Sequence, residues 1–127
     1  MLKHVLVVDD DKDFRDLIRA FLTPAGFIVR DAEDGYSAME ELSASSYDLV
    51  ILDISMPHWN GFRVLHFLRD SKKFEHLPVI MMTASDQREH LLRVVSDVSD
   101  YMLKPPRKED LLARIQRIFV FDQSSNL

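Results

Sequence analysis

The sequence predicts an α/β domain, a doubly wound five-stranded parallel sheet covered by helices on both faces. Short, nearly continuous apolar runs at residues 5–8 and 49–52 read as strands buried on both sides, the pattern of parallel pairing. Between such runs lie segments whose apolar residues recur at helical spacing, so strand and helix alternate along the chain. The 127 residues, 46% of them apolar, suffice for one packed core and leave no room for a second domain.

Taken in order, the first strand covers residues 5–8 and ends in Asp9-Asp10-Asp11. Phe14, Leu17, Ile18, Phe21 and Leu22 then recur at i, i+3, i+4, i+7 and i+8. They mark an amphipathic helix capped by Asp11 and stopped by Pro24 and Gly26. Residues 27–30 form strand two, and Gly35 opens a second helix carrying Ala38, Met39 and Leu42. Strand three, residues 49–52, runs into Asp53; Asn60-Gly61 precedes a third helix marked by Phe62, Leu65 and Leu68. Strand four is residues 78–82, followed by Thr83. A fourth helix near residues 86–95 is expected to be mobile, because Val94 and Val95 lose rotamer freedom in a helix. Strand five is residues 101–103, before Lys104-Pro105. The fifth helix carries Leu111, Leu112, Ile115, Ile118 and Phe119, with Glu109 and Asp110 near its positive end. The helical period lapses at Asp122, so the domain is expected to span residues 1–121, with 122–127 a frayed tail or the start of a linker.

Composition excludes several functions. Without cysteine there are no disulfides, thiol nucleophiles or cysteine zinc sites, and a reducing, cytoplasmic setting is the default expectation. No apolar run approaches the ~20 residues of a membrane span. A net charge of −5 argues against direct nucleic-acid binding. His4, His66, His76 and His90 lack metal-ligand spacing and read as scattered surface histidines, whereas the methionines read as core filler. His58 and Trp59 are expected on an exposed loop.

Doubly wound sheets bind ligands beyond the carboxyl ends of their strands. Here those ends carry Asp9, Asp10, Asp53, Thr83 and Lys104. Three carboxylates held together repel one another and call for a divalent cation; an oxygen-only set without histidine or cysteine favours Mg²⁺.

Four motifs carry a resemblance: Val7-Val8-Asp9-Asp10; Leu52-Asp53-Ile54-Ser55-Met56-Pro57 followed by Asn60-Gly61; Met82-Thr83-Ala84; and Asp100-Tyr101-Met102-Leu103-Lys104-Pro105. In this order and spacing the chain resembles the response-regulator receiver domains of two-component systems, over residues 5–119. The resemblance implies a flavodoxin-like (βα)5 fold with strand order 2-1-3-4-5. It implies that Asp53 is the phospho-acceptor, supplied by a phosphohistidine on a histidine kinase or histidine phosphotransfer protein. Mg²⁺ would be ligated by Asp10, Asp53 and the backbone carbonyl of Ser55, with Asp9 acting through water. Thr83 would donate its hydroxyl to the phosphoryl group, Lys104 would supply charge, and the Lys104-Pro105 bond would be cis. Thr83 would then follow the phosphate and Tyr101 rotate inward, switching the surface of the fourth helix, fifth strand and fifth helix. Asp100 and Arg114 resemble the Asp to Arg pairs by which some receivers form homodimers through that surface. Such a domain catalyses only its own phosphorylation and dephosphorylation.

The chain departs from the family pattern in places. Pro106 stands where an aromatic residue is usual, Asp97-Val98-Ser99 replaces Gly-Ala, and Asn60 replaces an acid. Ser55 and Ser85 leave a path for water, so an aspartyl phosphate lasting minutes is expected. Two other functions compete. Asp9-x-Asp11 resembles the nucleophile motif of haloacid-dehalogenase phosphatases, but Lys12-Asp13 replaces the expected Gly-Thr and a cap has no room. A pseudo-receiver that binds partners without phosphorylation is disfavoured by the intact Asp10, Asp53, Thr83 and Lys104 set. The output is open between a stand-alone or phosphorelay protein and the N-terminal receiver of a transcription factor. The Met1 start disfavours the C-terminal receiver of a hybrid kinase.

Overall fold

The computed structural model describes residues 2–56, 59–84 and 97–125, with side chains up to Val120. Its elements are β1 (His4–Val8), α1 (Lys12–Leu22), β2 (Ile28–Ala32), α2 (Gly35–Ala44), β3 (Leu49–Asp53), α3 (Gly61–Arg69), β4 (Val79–Thr83), β5 (Asp100–Leu103) and a C-terminal helix (Lys108–Ser125). All strand pairs are parallel and the sheet order is β2-β1-β3-β4-β5. The expected fourth helix, Ser85, His58 and His90 lie outside the described residues.

The sheet's period of two sorts the core into two layers. Leu6, Val8, Val50, Leu52, Val79 and Met81 face Ala38 and Leu42 of α2 and Val64, Leu65 and Leu68 of α3. Val5, Val7, Leu49, Ile51, Ile80, Met82 and Met102 face Phe14, Ile18 and Leu22 of α1 and Leu111, Ile115 and Ile118 of the C-terminal helix. β1, β3 and β4 are buried on both faces, which is why residues 5–8, 49–52 and 79–82 are apolar without a break.

Local signals set the boundaries. Asp11 caps α1, its carboxylate accepting from the Asp13 amide at 3.0 Å. Gly26, at φ 98°, makes the left-handed turn that ends the first βα unit. Asp34 and Ser37 form a capping box on α2, and Asn60 caps α3 by accepting from the Arg63 amide at 3.0 Å, so asparagine keeps a capping role there.

Four expectations need correction. Strand two runs on to Ala32, because as an edge strand it tolerates the polar Arg30 and Asp31 while pairing with β1 up to Val8. Strand four starts after Pro78, which lacks an amide donor, and takes in Thr83. Trp59 does not sit on an open loop. Its ring packs beside the α2/α3 core layer, 5.4 Å from the Tyr36 ring and under the Arg63 guanidinium at 4.3 Å. Gly35 makes room for it, since a Cβ there would collide with Trp59. The C-terminal helix continues through Asp122 to Ser125.

Candidate functional site

Among the described residues, the buried polar or charged side chains outside the apolar set are Asp9, Asp53 and Thr83, and all three sit at carboxyl ends of strands. Burying charge is costly unless it is paired, so this concentration marks a site. Strand period assigns each group a side. Asp9 continues Val5 and Val7, and Asp53 continues Leu49 and Ile51, so both fall on the face covered by α1 and the C-terminal helix. Lys104 follows Met102 on that face. Thr83 continues Val79 and Met81 on the α2/α3 face.

Lys104 joins the two buried carboxylates. Its Nζ donates to Asp9 Oδ2 at 2.6 Å and lies 3.0 Å from Asp53 Oδ1. Behind it the ring centroid of Phe14 is 4.4 Å away. The Lys104-Pro105 bond is cis. Burial, and then the neighbouring Asp9, push the Asp53 carboxyl up to about 6, although Lys104 and the Ser55 amide pull the other way. Burial likewise raises Asp9, against the pull of Lys104 and the Asp11 amide. Burial lowers Lys104, but its hydrogen bond to Asp9 and the charge of Asp53 outweigh that and leave the ammonium above the ordinary lysine range.

Asp10 stands exposed at the rim. Carboxylate oxygens of Asp9, Asp10 and Asp53 lie within 4.8 Å of one another. Two buried carboxylates and a third at the rim face a single ammonium, with no sulfur or imidazole in the group. That donor set fits a hard, oxygen-seeking divalent cation.

A family model, the response regulator receiver domain, matches residues 5–116. The chain belongs to this family. It is 33% identical to the transcriptional regulatory protein GltR of Pseudomonas aeruginosa, over 91% of this chain and 48% of GltR. It is 32% identical to the chemotaxis protein CheY of the same organism, over 91% of this chain and 94% of CheY. The chain thus spans about half the length of the first and nearly all of the second. Among solved structures, the response regulator CheY4 of Vibrio cholerae superposes with a TM-score of 0.85 at 28% identity, covering 93% of this chain and 99% of CheY4. TrrA of Thermotoga maritima, solved in complex with Mg²⁺-BeF, gives 0.81 at 32% identity, covering 91% and 98%. As a receiver domain, the chain has the acidic pocket at which this family binds Mg²⁺, and belongs to a class of phospho-acceptor switches that meet histidine kinases or phosphotransfer proteins.

The other residues expected to contribute lie in the loop after β3 (Ser55), on β4 (Thr83), on β5 (Asp100, Tyr101) and on the C-terminal helix (Arg114). Ser55 is exposed in the loop after β3 and its amide bonds Asp53. Thr83 Oγ1 donates to the Ala84 carbonyl at 2.8 Å. Tyr101 is half-buried against the α2/α3 core layer, on the side of Thr83. Arg114 Nη1 bonds Asp100 Oδ1 at 2.9 Å and the Tyr101 carbonyl at 2.9 Å. The acid and base expected to pair between subunits therefore pair within one chain. Pro106 is buried.

Two residues that shape the pocket escaped the sequence reading. Arg15 donates to the Asp9 carbonyl at 2.8 Å and to Asp31 at 3.0 Å, tying the end of β1 to β2. No local pattern separates it from any other charge on the polar face of α1. Gly61 was legible only as part of an Asn-Gly turn. Its reason is close approach, because a Cβ there would collide with the Asp53 carbonyl oxygen.

Proposed function

We propose that Asp53 accepts a phosphoryl group from a phosphohistidine of a histidine kinase or histidine phosphotransfer protein, and that the resulting charge switches the β5 and C-terminal helix surface. The observation that carries this reading is the buried Asp53 carboxylate, 3.0 Å from Lys104 and grouped with Asp9 and Asp10, in a receiver-family chain. Asp10, Asp53 and the Ser55 carbonyl would hold Mg²⁺, with Asp9 acting through water. The chemistry supplied by Mg²⁺ held there would be neutralisation of charge on the phosphoryl oxygens.

This chain's own residues supply the rest. Asp53 Oδ attacks phosphorus as the P–N bond of the donor breaks and the electron pair returns to the imidazole. Lys104, already beside Asp53, meets the charge that appears on the phosphoryl oxygens. Gly61, whose amide donates to the Ile54 carbonyl at 2.8 Å, and Arg15 at the Asp9 carbonyl hold the chain ends beside the carboxylates, so these are in place before the donor arrives. The Thr83 hydroxyl turns from Ala84 to a phosphoryl oxygen, and Tyr101 on the same face follows it. A net charge of −5 keeps direct nucleic-acid contact out of the proposal, and no helix among the described residues is long and apolar enough to cross a membrane.

Labelling with acetyl phosphate and Mg²⁺ tests this. Label is expected on the native chain and absent from Asp53→Asn, while Asp9→Asn only slows it. Label that survives in Asp53→Asn and disappears in Asp9→Asn would instead make Asp9 the nucleophile, as in a phosphatase.

A further inference from the structure

Phe14 has two roles open to it. In the first turn of α1 it is 7% exposed and belongs to the apolar layer with Ile18, Leu22, Leu111 and Ile115, a role that needs only an apolar side chain of suitable volume. Its ring also faces the Lys104 ammonium, 4.4 Å from the centroid, on a lysine side chain only 23% exposed. A cation over an aromatic face in a desolvated setting is attracted by the ring quadrupole, and this attraction takes up no hydrogen-bond donor.

We propose that Phe14 is a positioning residue for Lys104, holding the ammonium over the pocket while its hydrogen-bond partner changes from the Asp53 carboxylate to a phosphoryl oxygen. The proposal rests on Asp53 being the phospho-acceptor. The ammonium stands on a flexible four-carbon stem and is held by two carboxylates, Asp9 at 2.6 Å and Asp53 at 3.0 Å. With acetyl phosphate as donor, the P–O bond to acetate breaks with its electron pair and a new P–O bond forms to an Asp53 oxygen. One of the two carboxylate anchors is thereby consumed, and negative charge moves onto the phosphoryl oxygens. A third acidic anchor would hold the ammonium back by claiming an N–H. As the Asp53 anchor is lost the Phe14 ring goes on attracting the ammonium, so its share of the hold grows as transfer proceeds, and it leaves those N–H groups to the phosphoryl group.

The test replaces Phe14 in turn by mono-, di- and trifluorophenylalanine, which keep the size of the ring and progressively withdraw its π density. The rate of acetyl phosphate labelling on Asp53 should fall stepwise, by about three- to tenfold in all, while the circular dichroism spectrum stays that of the native chain. In the unmodified protein the Lys104 Hε protons should resonate upfield through the ring current of Phe14, and Phe14→Leu should return them to their ordinary position. A labelling rate that stays flat across the fluorinated series, or Lys104 Hε protons at ordinary shifts, would overturn the proposal. If the unmodified chain takes no label at all, the phospho-acceptor reading falls and this proposal with it. A labelled native chain with a flat series removes the proposal alone.

Discussion

The two faces of the sheet meet at one pocket but bring it different things. The face under α1 and the C-terminal helix delivers charge: Asp9, Asp53 and Lys104, with Phe14 behind them. The face under α2 and α3 delivers neutral groups: the buried Thr83 hydroxyl and the half-buried Tyr101 ring, with Trp59 wedged against Gly35 farther along. A strand's period of two is enough to separate them, since residues two apart share a face and neighbours do not. On the proposed function, bond-making chemistry would be built on one side and its readout on the other, and a substitution on one side should leave the other largely intact.

The largest break in this division should come from Lys104→Met, which keeps the stem and removes the charge. Acetyl phosphate labelling should slow by on the order of 10² to 10³-fold with the circular dichroism spectrum unchanged, because the positive charge that stabilises the transition state is gone. A loss below threefold would mean that charge on this face is dispensable.

Next in size is a stability effect of Asp53→Asn. The folded Asp53 carboxyl lies at about 6 against 3.8 for the unfolded group, so the native state binds the extra proton and ionisation opposes folding. The native chain therefore loses stability as pH rises from about 4 to about 6. The asparagine variant is free of that cost. Its advantage should be full above pH 6, about 1–3 kcal/mol by urea titration, and should vanish as pH falls towards 4. An advantage independent of pH would show that burial and the neighbouring Asp9 do not perturb Asp53.

The smallest effect sharpens the contrast. Tyr101→Phe lies on the readout face and should change the labelling rate by less than about twofold. A tenfold change would join the two faces into one catalytic unit.

Much of this arrangement could be read from the chain before any coordinates. Asp9, Asp53, Thr83 and Lys104 were legible because each closes a run of strand residues, and parallel topology brings such ends to one edge whatever the intervening helices do. Asp11 was legible as a cap because capping is local. What escaped depended on partners remote in sequence. Trp59, in the loop before α3, can pack where it does because Gly35 of α2 lacks a Cβ. Arg15 matters because β2 places Asp31 beside it. Phe14 was correctly read as a core residue of α1, but no periodicity reveals that Lys104, near the other end of the chain, closes over its ring. The polar half of β2 was missed because propensity and alternation weaken at a sheet edge.

The most direct measurement is to map the phosphorylated residue. The native chain, treated with acetyl phosphate and Mg²⁺, would be trapped by borohydride reduction, digested and sequenced by mass spectrometry. A single modified position at Asp53, absent when the divalent ion is chelated, is the predicted result. Modification at Asp9 or Asp10, or a native chain that stays unmodified with Mg²⁺ present, would contradict the account.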